Sequence, residues 1–135
     1  MRLRFLFYAA AAVIAIAGIL HIIVGTEPEH IEHTALVIFF LVSGIAQIFW
    51  ALPTVKRWTR AWHYTGIAGT IVLIIPWSLT RLPNPITGGE AEPIDEIGIT
   101  VQMLQASYIA LIATAIIRQK HMMKIDHRTA AADEA

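Results

Sequence analysis

The stretch that decides the fold is FLFYAAAAVIAIAGILHIIVG, residues 5–25, which contains no lysine, arginine, aspartate or glutamate. An α-helix of about 20 apolar residues crosses the hydrocarbon core of a bilayer. Because that core offers no water to backbone N–H and C=O groups, a crossing segment has to satisfy them internally. The stretch therefore predicts a transmembrane helix.

Three further apolar stretches follow it. The pattern predicts helices over about residues 5–25, 28–52, 61–82 and 96–118, followed by a tail over residues 119–135. The chain of 135 residues is 56% hydrophobic and 15% charged, which is more apolar than a soluble domain of this length can bury. We expect one all-α transmembrane domain over residues 1–135, an integral membrane four-helix bundle.

The first stretch has a second interpretation, as a cleaved signal peptide, because Arg2 and Arg4 precede it. Its length and the lack of a clear small-x-small cleavage site before Glu27 favour a retained helix. Its small residues between Ala9 and Gly18 predict a face for close helix packing.

The charged residues predict the orientation. In a chain that crosses four times, nine of the ten lysines and arginines fall on one side, and they are Arg2, Arg4, Lys56, Arg57, Arg60, Arg118, Lys120, Lys124 and Arg128. Basic residues concentrate in cytoplasmic segments, so we expect a multi-pass cell-membrane protein with both termini in the cytoplasm. The opposite side carries acids: Glu27, Glu29, Glu32, Glu90, Glu92, Asp95 and Glu96. The net charge of zero gives no reason to expect a nucleic-acid partner.

A histidine-rich group is predicted on the acidic side. His30 and His33 share a helix face with Glu29, and His21 lies one turn before the outer end of the first helix. Imidazole and carboxylate ligands of this kind bind divalent zinc or copper. Two alternatives stay open: His30 and His33 pair with acids at the membrane surface, and Glu29 forms a capping box with Thr26 at the start of the second helix.

Arg81 is the one basic residue on the acidic side. An ionisable group at a helix end in a membrane usually has a partner, so we predict a structural ion pair between Arg81 and Glu32 or Glu96, with Glu29 as a further choice. Snorkelling to the headgroups and an anion clamp are the alternatives.

Polar side chains at helical spacing predict packing inside the bundle. Placing residues at 100° per step puts one stripe on each of helices 2, 3 and 4, and we expect interhelical hydrogen bonds from Ser43, Gln47, Thr70, Ser78, Thr100 and Ser107. Gln102 and Gln105 lie on the other side of helix 4. A helix polar on two faces predicts a second protein neighbour, either another membrane protein or a second copy.

Several kinds of chemistry have no support in the sequence. The chain has no cysteine, which excludes disulfides and thiolate chemistry. It contains no phosphate-binding loop and no nucleophile elbow. His21 is predicted near the outer surface and His63 near the inner one, so these two histidines cannot share a haem. No nucleophile–base pair can be named, so the sequence favours a protein that is not an enzyme. An enzyme or transporter that uses the outer polar layer stays open as a third alternative.

The chain resembles a family of small bacterial and archaeal proteins with four transmembrane helices. The similarity rests on Pro28-Glu29-His30-Ile31-Glu32, Thr80-Arg81, Glu92-Pro93 and Glu96, and spans and loop lengths agree as well. The family has no established activity, so the resemblance implies the topology and draws attention to the outer layer.

Together these patterns predict an accessory or scaffold subunit of a larger membrane assembly, with an extracytoplasmic layer of His, Glu and Arg side chains. The alternative is an extracytoplasmic protein that binds copper or zinc through His21, His30 and His33.

Overall fold

The computed structural model describes residues 2–28, 34–85 and 88–133. These residues form four helices and no strand: α1 (Leu3–Gly25), α2 (Thr34–Val55), α3 (Arg60–Thr80) and α4 (Glu96–Asp133). The all-α prediction is confirmed.

Three of the helices in the described part of the chain, α1, α2 and α4, are long and apolar enough to cross a membrane. Helix α3 is less apolar, because His63, Tyr64 and Thr65 occupy its first two turns. The fourth crossing therefore stays a prediction.

Helices α1 and α2 pack backbone to backbone through two glycines. A Cβ atom added to Gly18 would lie 2.6 Å from the carbonyl oxygen of Gly44, and a Cβ on Gly44 would lie 2.6 Å from the carbonyl oxygen of Gly18. Two turns further along α1, a Cβ on Gly25 would lie 2.8 Å from Cβ of Phe40. Small residues at a helix contact allow this closeness, and Gly18, the last residue of the small-residue face predicted for the first helix, lies here.

The apolar core lies between α1 and α4. Its buried members are Leu6, Phe7, Ala10, Ile14, Tyr108, Ile112, Ala115 and Ile116. The beginning of α1 lies beside the later part of α4, since Leu3 and Ile117 line one groove. Helix α1 thus packs between α2 and α4. From α3, the ring of His63 packs against Phe7 with 5.2 Å between centroids.

A tryptophan cluster joins the end of α2 to the beginning of α3. The indole N–H of Trp50 donates to the carbonyl of Trp62 at 3.1 Å, and the rings of Trp58 and Trp62 are 5.0 Å apart. A Cβ on Gly66 would overlap both Trp50 and the Tyr108 hydroxyl, so glycine is needed where α2, α3 and α4 meet. Tryptophans gathered at one end of a bundle are typical of a membrane interface.

Helix α4 is longer than predicted. It runs for 38 residues to Asp133, about 57 Å at 1.5 Å per residue, whereas the sequence predicted a helix ending near residue 118 and a separate tail. No glycine or proline follows residue 118, and Arg, Gln, Lys and Met are good helix formers. The helix therefore continues beyond the apolar segment.

Candidate functional site

Arg81 lies at the centre of a polar junction between α3 and α4. Its Nη1 donates to Oε2 of Glu92 at 2.8 Å, and its Nη2 donates to Oδ1 of Asp95 at 3.0 Å. Its guanidinium carbon lies 4.8 Å from the centroid of the Trp77 ring, within the range of a cation–π contact. We call Trp77, Arg81, Glu92 and Asp95 the Arg81 latch.

The backbone around the Arg81 latch is held as well. Oδ2 of Asp95 accepts a hydrogen bond from the N–H of Gly98 at 2.6 Å, so Asp95 caps the first turn of α4. A Cβ on Gly98 would lie 2.6 Å from both Asp95 and Trp77. The N–H of Glu92 donates to the carbonyl of Thr80 at 2.9 Å, which fixes the returning loop against the end of α3.

Arg81 has two partners that were not predicted, and the predicted pair with Glu32 stays a prediction. Glu32 lies outside the described residues, and the guanidinium pairs with Glu92 and Asp95 rather than with Glu96. Asp95 precedes the first turn of α4, so its side chain turns back toward α3, whereas Glu96 already belongs to the helix. The preference of Asp for the N-cap position is the sequence signal that points to Asp95.

The described residues do not include a cluster of the predicted metal ligands. Glu29, His30 and His33 lie outside the described residues, and within residues 2–28, 34–85 and 88–133 no group of three His, Cys, Asp or Glu side chains could hold a metal ion. His21 is buried, with its Nδ1 3.0 Å from the carbonyl oxygen of Ala17 and its ring 5.9 Å from that of Phe40. The metal site stays a prediction.

The alternative capping role also falls partly outside the described chain. Thr26 is the C-cap of α1, and its hydroxyl donates back to the carbonyl of Ile23 at 2.8 Å. The described hydroxyl contact of Thr26 therefore serves the end of the first helix.

The predicted polar stripes divide into two groups. Ser43, Gln47 and Thr70 are buried, whereas Ser78, Thr100 and Ser107 are exposed. Four of the hydroxyls donate to the carbonyl four residues earlier at 2.7–2.9 Å, and they are Thr70, Ser78, Thr100 and Ser107. These four make the local bond that Ser and Thr commonly make in helices rather than the interhelical bond predicted for them.

Helix α4 is rotated relative to the prediction. Gln105 faces the bundle with 0% exposure, while the hydroxyl stripe faces away from it. The large apolar side chains decide this, because Tyr108 and Ile112 are also fully buried on the Gln105 face. The recurrence of Val101, Gln105, Tyr108 and Ile112 at intervals of four and three is the signal that identifies the inner face.

In the part of the molecule that the structure describes, two buried side-chain amides, those of Gln47 and Gln105, lack the hydrogen-bond partners that a buried amide usually has. Both side-chain polar atoms of Gln47 and of Gln105 are buried without a hydrogen-bond partner among the described residues. An unpaired buried amide is costly, so these two side chains weaken the interior unless a small polar molecule bonds to them.

The exposed stripe of α4 has the spacing of a helix–helix interface. Its members recur at intervals of three and four residues and face away from the bundle: Thr100, Met103, Ser107, Ala110 and Thr114. We call them the α4 seam. A repeat of this period keeps one face directed at a partner helix over several turns.

Comparison of the chain with family models, curated proteins and solved structures gives no match. The resemblance to small four-helix membrane proteins stays a prediction, and the functional argument rests on the geometry.

Proposed function

We propose that this protein is an accessory or scaffold subunit of a larger membrane assembly, and that it docks to another membrane protein or to a second copy through the α4 seam. In this proposal all four helices cross the membrane and both termini are cytoplasmic. The observation that carries the proposal is a row of side chains on the outside of an apolar helix, all of them small or hydroxyl-bearing except Met103.

The contrast with α2 supports a protein partner at the α4 seam. The outward side of α2 presents large aliphatic side chains, with Ile38 55%, Val42 61% and Ile45 61% exposed, as expected for contact with lipid tails. The α4 seam has Ser107 and Ala110 at its centre instead. Helices in membranes associate by close packing at small residues, and hydroxyls already bonded within their own helix can enter such a contact without losing a partner.

Cross-linking tests the docking. The chain has no cysteine, so Ala110→Cys places one thiol in the α4 seam and Val42→Cys places a matched thiol on the outward face of α2. A short cross-linker with one thiol-reactive end and one photo-reactive end is applied to cell membranes that contain each variant. We expect Ala110→Cys to give a discrete adduct of higher mass. Its mass distinguishes a second copy from a larger subunit. Equal adduct yields from Ala110→Cys and Val42→Cys would contradict the proposal.

A second pair of variants tests the packing itself. Adding Ser107→Leu and Thr114→Leu to Ala110→Cys should reduce the adduct severalfold, because larger side chains keep helices apart. Val72→Leu, at an exposed position of α3, is the control and should leave the yield unchanged.

The topology is tested separately by the same cysteine-free chain. An impermeant thiol reagent should label Lys56→Cys and Glu90→Cys from opposite sides of the membrane. Lys56 belongs to a basic segment, and basic segments favour the cytoplasm. Labelling of both from one side would contradict a multi-pass protein with both termini inside.

One observation favours the metal-binding alternative. The Nδ1–H of His21 donates to the carbonyl of Ala17, which leaves Nε2 as the nitrogen with a free lone pair. Histidines that bind metals usually make this second bond. We expect copper or zinc in the purified protein to fall with His21→Ala and with His30→Ala plus His33→Ala, and to be unchanged by His127→Ala. An unmutated protein without stoichiometric metal would exclude this alternative.

A further inference from the structure

A small polar cavity lies beside the first turn of α1. Its volume is about 150 Å³, and its lining comes from the start of α1 and from the chain around the end of α2: Arg4, Phe7, Tyr8, Val55 and Arg57. At about 30 Å³ for each water in the liquid, the space equals roughly five waters. It suits a group of phosphate size better than a complete headgroup.

Two arginines share this cavity without a carboxylate. Among the described residues, none of the ion pairs involves Arg4 or Arg57. Both arginines are exposed to solvent, and an anion bound between them could pair with both positive charges. Guanidinium groups bind phosphate oxygens by paired, charge-assisted hydrogen bonds.

Arg57, one of the lining residues, has an unusual backbone conformation. Its φ of 50° lies in the left-handed region, which residues other than glycine seldom adopt. The turn is closed on both sides, since the N–H of Arg57 donates to Thr54 O at 3.2 Å and the N–H of Trp58 donates to Pro53 O at 3.0 Å. Two backbone hydrogen bonds therefore hold the turn that contains Arg57, at the end of α2.

The cavity lies where lipid phosphates are expected. It is at the ends of two apolar helices, and Tyr8 at its rim is 58% exposed, as aromatic residues are at the headgroup level. Val55 in its lining, and Phe5 and Leu52 on the same two helices, expose apolar surface that acyl chains can cover. Basic pockets between transmembrane helices bind anionic headgroups.

We propose that this cavity binds the phosphate of an anionic phospholipid, with Arg4 and Arg57 as the two cationic contacts. The inference rests on the membrane integration proposed above. Alkaline carbonate extraction of the unmutated protein tests that premise by itself: release into the supernatant would refute the membrane proposal, whereas the lipid measurements below decide the cavity.

The test is native mass spectrometry of the full chain released from detergent in the presence of phosphatidylglycerol or phosphatidylcholine. The variant Arg4→Gln with Arg57→Asn removes both cavity charges, and Asn tolerates a positive φ. We expect phosphatidylglycerol binding to fall by at least about tenfold, because the loss of even one of the two charge-assisted contacts would produce a change of that size. The matched control, Arg2→Gln with Arg60→Gln, removes two charges outside the cavity. It should change phosphatidylglycerol binding by less than about twofold.

Equal losses in the two double variants, or equal binding of phosphatidylcholine, would overturn the proposal in favour of a diffuse surface charge. Circular dichroism confirms that each variant is helical. Arg4→Lys with Arg57→Lys keeps both charges and should bind more phosphatidylglycerol than the neutral double variant. If the neutral variant misfolds, the comparison of this lysine variant with the unmutated protein still tests the two cationic contacts.

A competition measurement distinguishes the source of the phosphate. Inorganic phosphate should displace no more phosphatidylglycerol than chloride at the same ionic strength. Displacement by phosphate alone would overturn a lipid as the occupant and assign the cavity to a soluble phosphate.

Discussion

The contact between α1 and α2 and the junction between α3 and α4 use different physical means to join helices. At the first, Gly18 and Gly44 bring two backbones together with no charged side chain between them. At the second, Arg81 joins two carboxylates and an indole at the ends of the helices. Within an apolar segment the close fit of shapes stabilises the contact, whereas at its end charges can pair because water is near.

The comparison also explains why α3 needs the Arg81 latch. The buried residues of α3 are His63, Gly66 and Thr70, and none of them belongs to the apolar core cluster. Helix α1, by contrast, contributes half of that cluster. Helix α3 therefore depends more on its polar and aromatic contacts, at the Arg81 latch and around Trp62, than on apolar burial.

The largest expected effect is at the glycine contact. Gly44→Ala should lower the free energy of unfolding by about 3 kcal/mol, because the added methyl group meets backbone at 2.6 Å and overpacking of a rigid contact costs this much. Unfolding by SDS in mixed micelles, followed by circular dichroism, measures the change.

Gly69→Ala is the matched control, since no described atom lies within 4 Å of a Cβ at that position. It should leave stability unchanged or raise it by up to about 1 kcal/mol, because alanine favours a helix over glycine. Similar losses at Gly44 and Gly69 would show that the backbone contact is not what joins α1 to α2.

A smaller effect is expected at the Arg81 latch, where Asp95 both caps α4 and pairs with Arg81. Asp95→Ala should lower the free energy of unfolding by about 2 kcal/mol, of which about 1 kcal/mol is the cap and the rest the ion pair. Asp95→Asn keeps the cap and should lose less than about 1 kcal/mol, because the carboxylate is half exposed and the pair is screened.

The same SDS titration measures both Asp95 variants, and Glu90→Gln in the same loop is the control. Hydrogen exchange should rise at the start of α4 in Asp95→Ala and stay unchanged in α1. An Asn variant as unstable as the Ala variant would show that the ion pair, rather than the cap, stabilises this junction.

The smallest effect is expected in the interior. Gln105→Met replaces a buried amide that has no partner among the described residues with an apolar side chain of similar length, and should raise the free energy of unfolding by about 1 kcal/mol. Gln119→Met, beyond the core, is the control and should be neutral. A fall in stability at Gln105 would show that a bound water or ligand satisfies this amide.

The sequence predicted more of the fold than of the candidate site. Apolar stretches of membrane length located all four helices, because length and hydropathy are local properties. Arg81 was singled out correctly as a residue in need of a partner, but the partners Glu92 and Asp95 were missed. The choice among nearby carboxylates depends on how the loop returns to α4, and a loop path is not encoded in periodicity.

By itself, the sequence determined that the chain is helical and apolar, and that small residues lie along α1, since each of these properties belongs to a single segment. The tertiary structure decided which face of α4 turns inward. Gln105 and the Thr100–Ser107 stripe lie on opposite sides of that helix, and polarity alone cannot rank them. Burial of Tyr108 and Ile112 against α1 outweighs the preference of any hydroxyl for the interior, so packing set the rotation and left the α4 seam outside.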